Sequence, residues 1–275
     1  AKQVQVADFT IDNIDPELKV VYDNNDVLNE KYYNAPRKAT LTIDEHNFRA
    51  SDVKITMTAE NNHQPVELPI VSEWETDPDP KKADLHTATI LYDKDADYTF
   101  DIEYTDLSGR AMKDYKQDVF VVDNTDPVIT VNYFAVQADG TKVDITEDVN
   151  VSSKDAIKYV NRDYVSFEAD IIIQELNFNQ EDVEYSANGT KHDTKMEDAK
   201  SGWTTQEDGI TRTKNIKFVQ QDIYKVDLAY ADLAGRKAQF VNDNNEKKYE
   251  TDYICLDTID PEGVLTVTGS NPNAW

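Results

Sequence analysis

Carboxylates dominate the chemistry open to this chain: Asp and Glu number 54 against 28 Lys and Arg, for a net charge of −26. Two stretches space them as a hard cation would require. Asp93-Lys94-Asp95-Ala96-Asp97 carries three at alternating positions, and Asp123-Asn124-Thr125-Asp126-Pro127 carries two more ahead of a proline. Calcium takes roughly six to eight oxygens, so neither stretch completes a site alone. The first also lacks a turn glycine, and its later counterpart Val219-Gln220-Gln221-Asp222-Ile223 keeps one acid. Asp93, Asp95, Asp97, Asp123 and Asp126 are therefore either candidate calcium ligands or the acids of solvated turns.

Other reactive groups are sparse. His46, His63, His86 and His192 are dispersed and form no His-Glu-x-x-His pair. With eight glycines in all, no Gly-x-Ser-x-Gly elbow, P-loop or dinucleotide fingerprint occurs. Pairs of acids would suit a glycosidase, but at this acid content they arise by chance. The expectation is a protein that is not an enzyme and has no cofactor, calcium apart. Trp74 and Trp203 stand at comparable places in loop-rich regions; exposed, they would stack on a sugar ring, and buried, they would plug one end of a sandwich. Strand order permits an isopeptide bond between Lys19 and Asn124, for which there is no further signature.

What positions these groups is a repeat. Asp-x-x-Asp-Pro occurs at Asp12–Pro16, Asp123–Pro127 and Asp257–Pro261. Glu-x-Asn-Phe followed by Asp-Val occurs at Glu45 and Glu175, and Tyr-x-Asp-Leu-x-Gly-Arg at Tyr104 and Tyr230, in the same order in both halves. Pro16 to Glu45 spans 29 residues and Pro127 to Glu175 spans 48, which puts a 19-residue insertion early in the second copy. Within it Ser153–Lys158 is predicted to form a helical turn or two. A smaller insertion falls around Asp243–Lys248. Glu45 and Glu175 read as turn acids that accept backbone N–H groups, with Asn47 or Asn177 left-handed.

Elsewhere short runs alternate with period two, as at Leu41 and Ile43, Tyr98, Phe100 and Ile102, Ile171 and Ile173, and Tyr224, Val226 and Leu228. That is the pattern of strands with one buried face. Breaks at Asp23–Asp26, Asp77–Pro80 and Asn188-Gly189 separate them as hairpins do. Tyr98 and Tyr224 open strands after acidic turns, where an immunoglobulin-type sandwich places its tyrosine corner, unless they are ordinary strand aromatics. The fold expected is all-β, two tandem immunoglobulin-like β-sandwich domains, the second with insertions. Residues 1–14 would be the last strand of a preceding module or a linker, 15–125 the first domain, 126–259 the second with its insertion near 134–160, and 260–275 a linker onward.

The charge disfavours nucleic acid and anionic membranes as partners. Cys255 is alone, so no internal disulfide is available. No apolar stretch would span a bilayer, and the chain, without an initiating Met, reads as an excised fragment.

The Asp-x-x-Asp-Pro junctions, Asp97-Tyr98-Thr99-Phe100 and Tyr104-Thr105-Asp106-Leu107-Ser108-Gly109-Arg110 resemble the Big-type bacterial Ig-like repeats of large surface proteins from gut Firmicutes and related Gram-positive bacteria. Asp123–Pro127 also resembles the acidic cadherin linker, where calcium stiffens domain junctions. The bacterial resemblance implies an extracellular, cell-surface location and non-catalytic work as stalk, spacer or adhesin module. Partners would be neighbouring domains of the same longer chain, with a glycan or host protein as the alternative target. Proline extends the residue before it, so tandem domains joined this way are expected to stand in a row.

Overall fold

The computed structural model describes residues 11–149, 158–189, 201–241 and 251–266. They cluster into two units. The first is Ala1–Pro127 together with the loops Leu176–Asn179 and Ala231–Lys237; the second is Val128–Glu175, Gln180–Tyr230 and Ala238–Trp275.

In the first unit one sheet runs in the order β1 (Glu17–Tyr22), β3 (Arg37–Asp44), β7 (Leu85–Tyr92), β6 (Glu75–Thr76). The other runs β2 (Tyr32–Tyr33), β9 (Asp118–Val122), β8 (Ala96–Glu103), β4 (Lys54–Asn61), β5 (Gln64–Pro65). Alternation dictates what each sheet buries: Leu41 and Ile43 of β3 and Ile90 and Tyr92 of β7 meet Tyr98, Phe100 and Ile102 of β8 and Phe120 and Val122 of β9 in one core. Side chains of this size, each fully buried, are worth about 1.5–3 kcal/mol apiece before entropy is charged against them. The β4–β5 hairpin turns through Asn62 and His63, both left-handed at φ 48° and 60°, the geometry that matches the twist of the flanking strands.

The second unit repeats this order. One sheet is β11 (Lys142–Asp144), β10 (Val128–Val136), β13 (Ser166–Gln174), β16 (Thr211–Phe218), β15 (Thr204–Thr205), with β18 (Gln239–Phe240) alongside β10. The facing sheet is β12 (Lys158–Val160), β19 (Thr251–Leu256), β17 (Asp222–Ala229), β14 (Glu184–Gly189). In both units a short early strand pairs parallel with the last one, β2 with β9 and β12 with β19; every other pair except β10–β18 is antiparallel. The tyrosine corner is present twice: Tyr98 Oη donates to the Lys94 carbonyl at 2.9 Å and Tyr224 Oη to the Gln220 carbonyl at 2.8 Å. The fold is an all-β pair of immunoglobulin-like sandwiches.

Proline starts the first strand of each unit, since β1 begins after Pro16 and β10 after Pro127, whereas the residues from Pro261 to Thr266 form no strand. Three local expectations need correction or fall outside the described residues. Asn188-Gly189 does not break the chain, because β14 continues through it in register with Lys225 and Tyr224. The helical turn expected at Ser153–Lys158 falls on residues 150–157, which lie outside the description, apart from Lys158, which opens a strand; among the described residues a helical turn lies at Thr146–Val149, where Asp144 Oδ1 accepts the Thr146 N–H at 2.8 Å. The segment 243–248 also lies outside it. Among the described residues no helix is long and apolar enough to cross a membrane.

Candidate functional site

Three acids, one from each repeated motif, meet in the first unit. Asp12 stands in the Asp-x-x-Asp-Pro junction, Glu45 directly after β3, and Asp106 in the loop after β8. One carboxylate oxygen from each lies within 4.8 Å of the other two.

Each acid is held by its own motif. Glu45 is fixed through its backbone, with its N–H on the Asp84 carbonyl at 2.8 Å and its carbonyl 3.0 Å from His86 Nε2. Asp106 closes its own loop: Oδ1 accepts the Arg110 N–H at 2.8 Å and the Ser108 hydroxyl at 2.9 Å, while Gly109 supplies the φ of 87° that this reversal needs. Asp12 Oδ1 accepts the Ile14 N–H at 3.1 Å and Oδ2 the Asn47 amide at 2.8 Å. Glu45 Oε1 accepts the Asn47 N–H at 2.7 Å, as a turn acid should, but Asn47 and Asn177 are not left-handed. Asn47 spends its side chain on Asp12 instead, and no αL residue is needed to turn the chain.

Glu45 and Asp106 are 4% and 5% exposed. Asp106 Oδ2 is buried and no donor reaches it. Burial raises the Glu45 pKa against the help of the Asn47 N–H, and the Asp12 and Asp106 charges raise it further. Asp12 is lowered, by the Ile14 N–H first and the Asn47 amide second. The basic groups nearby pair with other acids, Arg110 Nε lying 2.7 Å from Asp15 Oδ1 and His46 Nδ1 2.8 Å from Asp84, while their charges add to the lowering of Asp12.

Of the acids singled out from local spacing, Asp95, Asp97 and Asp126 are engaged elsewhere, whereas Asp123 has a carboxylate oxygen within 4.8 Å of one from Asp232 in the same unit. Asp95 Oδ1 accepts the Asn124 N–H at 2.6 Å and Oδ2 the Thr125 hydroxyl, and the Asp93 carbonyl accepts the Asn124 amide at 3.2 Å. Asp97 lies 3.4 Å from Lys31 Nζ. Asp93, Asp95 and Asp97 do not converge among the described residues. Asp123 Oδ2 accepts the Asn177 amide at 2.7 Å, and Asp126 pairs with Arg236 at 2.6 Å, both within the first unit. Trp74 is half-buried against the core, its ring 5.2 Å from Phe48, and Trp203 is also half-buried. Lys19 points to solvent from β1, and the Asn124 amide is on the Asp93 carbonyl.

Asp12 and Asp106 were absent from the sequence-based candidates, although a signal for them existed: each motif that recurs carries an acid at a fixed place. In the second copy those places hold Asp123, Glu175 and Asp232, all buried.

No family model and no curated sequence matches the chain. Solved structures that resemble it include the titin A168–A169 fragment, at 10% identity and a TM-score of 0.33 over 84% of this chain and 93% of that one. Another is the Escherichia coli adhesin FdeC, at 10% identity and a TM-score of 0.34 over 86% of this chain and 64% of that one.

Proposed function

We propose that this chain is a non-catalytic pair of immunoglobulin-like modules from a bacterial cell-surface protein, serving as a spacer that bears tension between neighbouring domains. The observation that carries this reading is the parallel pairing of early and last strands in both units. Tension drawn through the chain pulls β2 and β9 in opposite directions along their length. The bonds from Val121 N–H to the Lys31 carbonyl (2.8 Å) and from Asp123 N–H to the Tyr33 carbonyl (2.9 Å) are then loaded together. β12 and β19 repeat the arrangement, with Asp257 N–H on the Val160 carbonyl at 2.9 Å. Interiors filled by large apolar side chains support the same reading, and so do His86, tied to the Glu45 carbonyl and Thr76, and Trp74, spent on the core. The surface location and any glycan or host-protein target are part of the proposal.

Stretching single molecules between terminal tags tests it. Two separate unfolding events are expected, releasing roughly 35 nm for Glu17–Val122 and roughly 45 nm for Val128–Leu256 at about 3.4 Å per residue. A smooth extension without resolved events would defeat the spacer reading.

Recognition of a glycan or host protein draws its support from a different place than the tryptophans. An open groove is lined by Glu67, Leu68, Pro69, Ile70 and Leu91, with Ile70 84% exposed. Capture on a glycan and matrix-protein array that Ile70→Asp abolishes would support it, and silence would remove it.

A further inference from the structure

We infer that Asp12, Glu45 and Asp106 form a binding site for a divalent cation of calcium's size, built from the three motifs that define the repeat. Acidic clusters are common on acidic proteins, and two features set this one apart. The first is Asp106 Oδ2, an oxygen of a side chain 5% exposed, buried beside two other carboxylates with no donor in reach. Leaving a buried carboxylate oxygen unpaired costs free energy that a bound cation or a proton offsets, and a cation offsets it for all three carboxylates together. Arg110 lies near enough for its charge to act on Asp12, but its Nε is 2.7 Å from Asp15 Oδ1 and it donates no hydrogen bond to Asp106 Oδ2, and His46 is paired at the surface with Asp84.

The second is convergence. An oxygen from each acid lies within 4.8 Å of the other two, close enough for one cation to touch all three, and a cage of three protein carboxylates suits calcium's flexible shell better than magnesium, which keeps several waters and takes one or two carboxylates. All-oxygen donors exclude a preference for soft or imidazole-seeking metals. Three carboxylates supply between three and six oxygens, and backbone carbonyls and water complete a calcium shell. A cation there would tie the junction before β1 to the ends of β3 and β8. Asp232, the second copy's counterpart of Asp106, likewise has a buried Oδ2 without a donor.

The test is calorimetric titration of the full chain, stripped with chelator, with calcium chloride at about 0.15 M salt. Binding near 10⁻⁴ M is expected, the range of extracellular modules. Asp106→Asn combined with Glu45→Gln should lower the stoichiometry by one ion per chain. The melting temperature gives an independent reading, because removal of buried charges should leave the double variant at or above the parent in chelator and below it in millimolar calcium. Unchanged stoichiometry, binding of magnesium as tight as that of calcium, or a double variant less stable in chelator would each overturn the assignment. None of these outcomes bears on the two unfolding events under force.

Discussion

Asp118→Ala should destabilise the first unit by about 2–4 kcal/mol, and the reason lies in what meets at that one carboxylate. Asp118 Oδ2 accepts hydroxyls from both Tyr22 and Tyr115, each at 2.6 Å. Burial, with the Asp118 contact next, pushes both tyrosines far above the ordinary phenol pKa, so both remain donors throughout the accessible pH range. Behind Tyr22 the Arg37 guanidinium lies 3.5 Å from its ring centre, 4.2 Å from Tyr33 and 4.7 Å from Phe120, and is 8% exposed. A hydrogen bond to a charged acceptor nets about 1.5–3 kcal/mol. Two that share one oxygen add incompletely, and both hydroxyls keep some access to water, which gives the range stated. Asp118→Asn retains an acceptor without the charge and should cost about half as much. The assay is urea unfolding followed by Trp74 fluorescence in a Trp203→Phe, Trp275→Phe background, so that the signal belongs to the first unit. Tyr115→Phe completes a double-mutant cycle with an expected coupling of about 1 kcal/mol. A cost for Asp118→Ala under about 0.5 kcal/mol, or additivity with Tyr115→Phe, would refute the reasoning.

The tyrosine corners predict that Tyr98→Phe and Tyr224→Phe each cost about 1 kcal/mol in their own unit alone, measured by chemical unfolding. Gly109 and Gly235 occupy the same motif position at φ 87° and 76°, but a Cβ on Gly235 would lie 2.8 Å from Leu28 Cδ1, while one on Gly109 meets nothing. The Leu28 methyl is the far end of a flexible side chain that is 39% exposed and can move aside, so Gly109→Ala and Gly235→Ala should each show chiefly the left-handed penalty of about 1–2 kcal/mol; a melting shift for Gly235→Ala far beyond that of Gly109→Ala would contradict this. The Asp232 carboxyl is pushed up to about 6, by burial first and with the Asp123 charge adding, against the pull of the Arg236 N–H. The folded state then holds a proton that the unfolded chain releases above about pH 4, so this group's contribution falls as pH rises from 4 through 6 and is unfavourable at pH 7, by about 1–3 kcal/mol. In chelator, Asp232→Asn should stabilise the protein at pH 7.5 and much less at pH 4.5, and a pH-independent difference would refute the assignment.

Strand placement was legible in the sequence because period-two runs such as Leu41–Ile43 and Tyr98–Ile102 report directly which face is buried. The tyrosine corners followed from the acidic turns that precede them. Turn chemistry misled at Asn188-Gly189, where a good turn pair is overridden by pairing with β17, and at Asn47, where a long-range bond to Asp12 replaces the left-handed conformation. The carboxylate site was hidden for a different reason. Asp93, Asp95 and Asp97 are close in sequence and drew attention, yet the chain spends Asp95 on the Asn124-Thr125 backbone and side chain and points Asp97 toward Lys31. Asp12, Glu45 and Asp106 are far apart in sequence and converge only because the chain enters the sandwich beside the ends of β3 and β8. Local spacing cannot display a site assembled by topology, whereas recurrence of an acid in all three motifs could have.

The most direct measurement is the force needed to unfold Val121→Pro, which withdraws the N–H donated to the Lys31 carbonyl between β2 and β9 while the second unit of the same molecule serves as reference. If the parallel pair bears the tension, the roughly 35 nm event moves to clearly lower force and the roughly 45 nm event stays in place. An unchanged force for the shorter event would contradict a spacer held by its terminal strands.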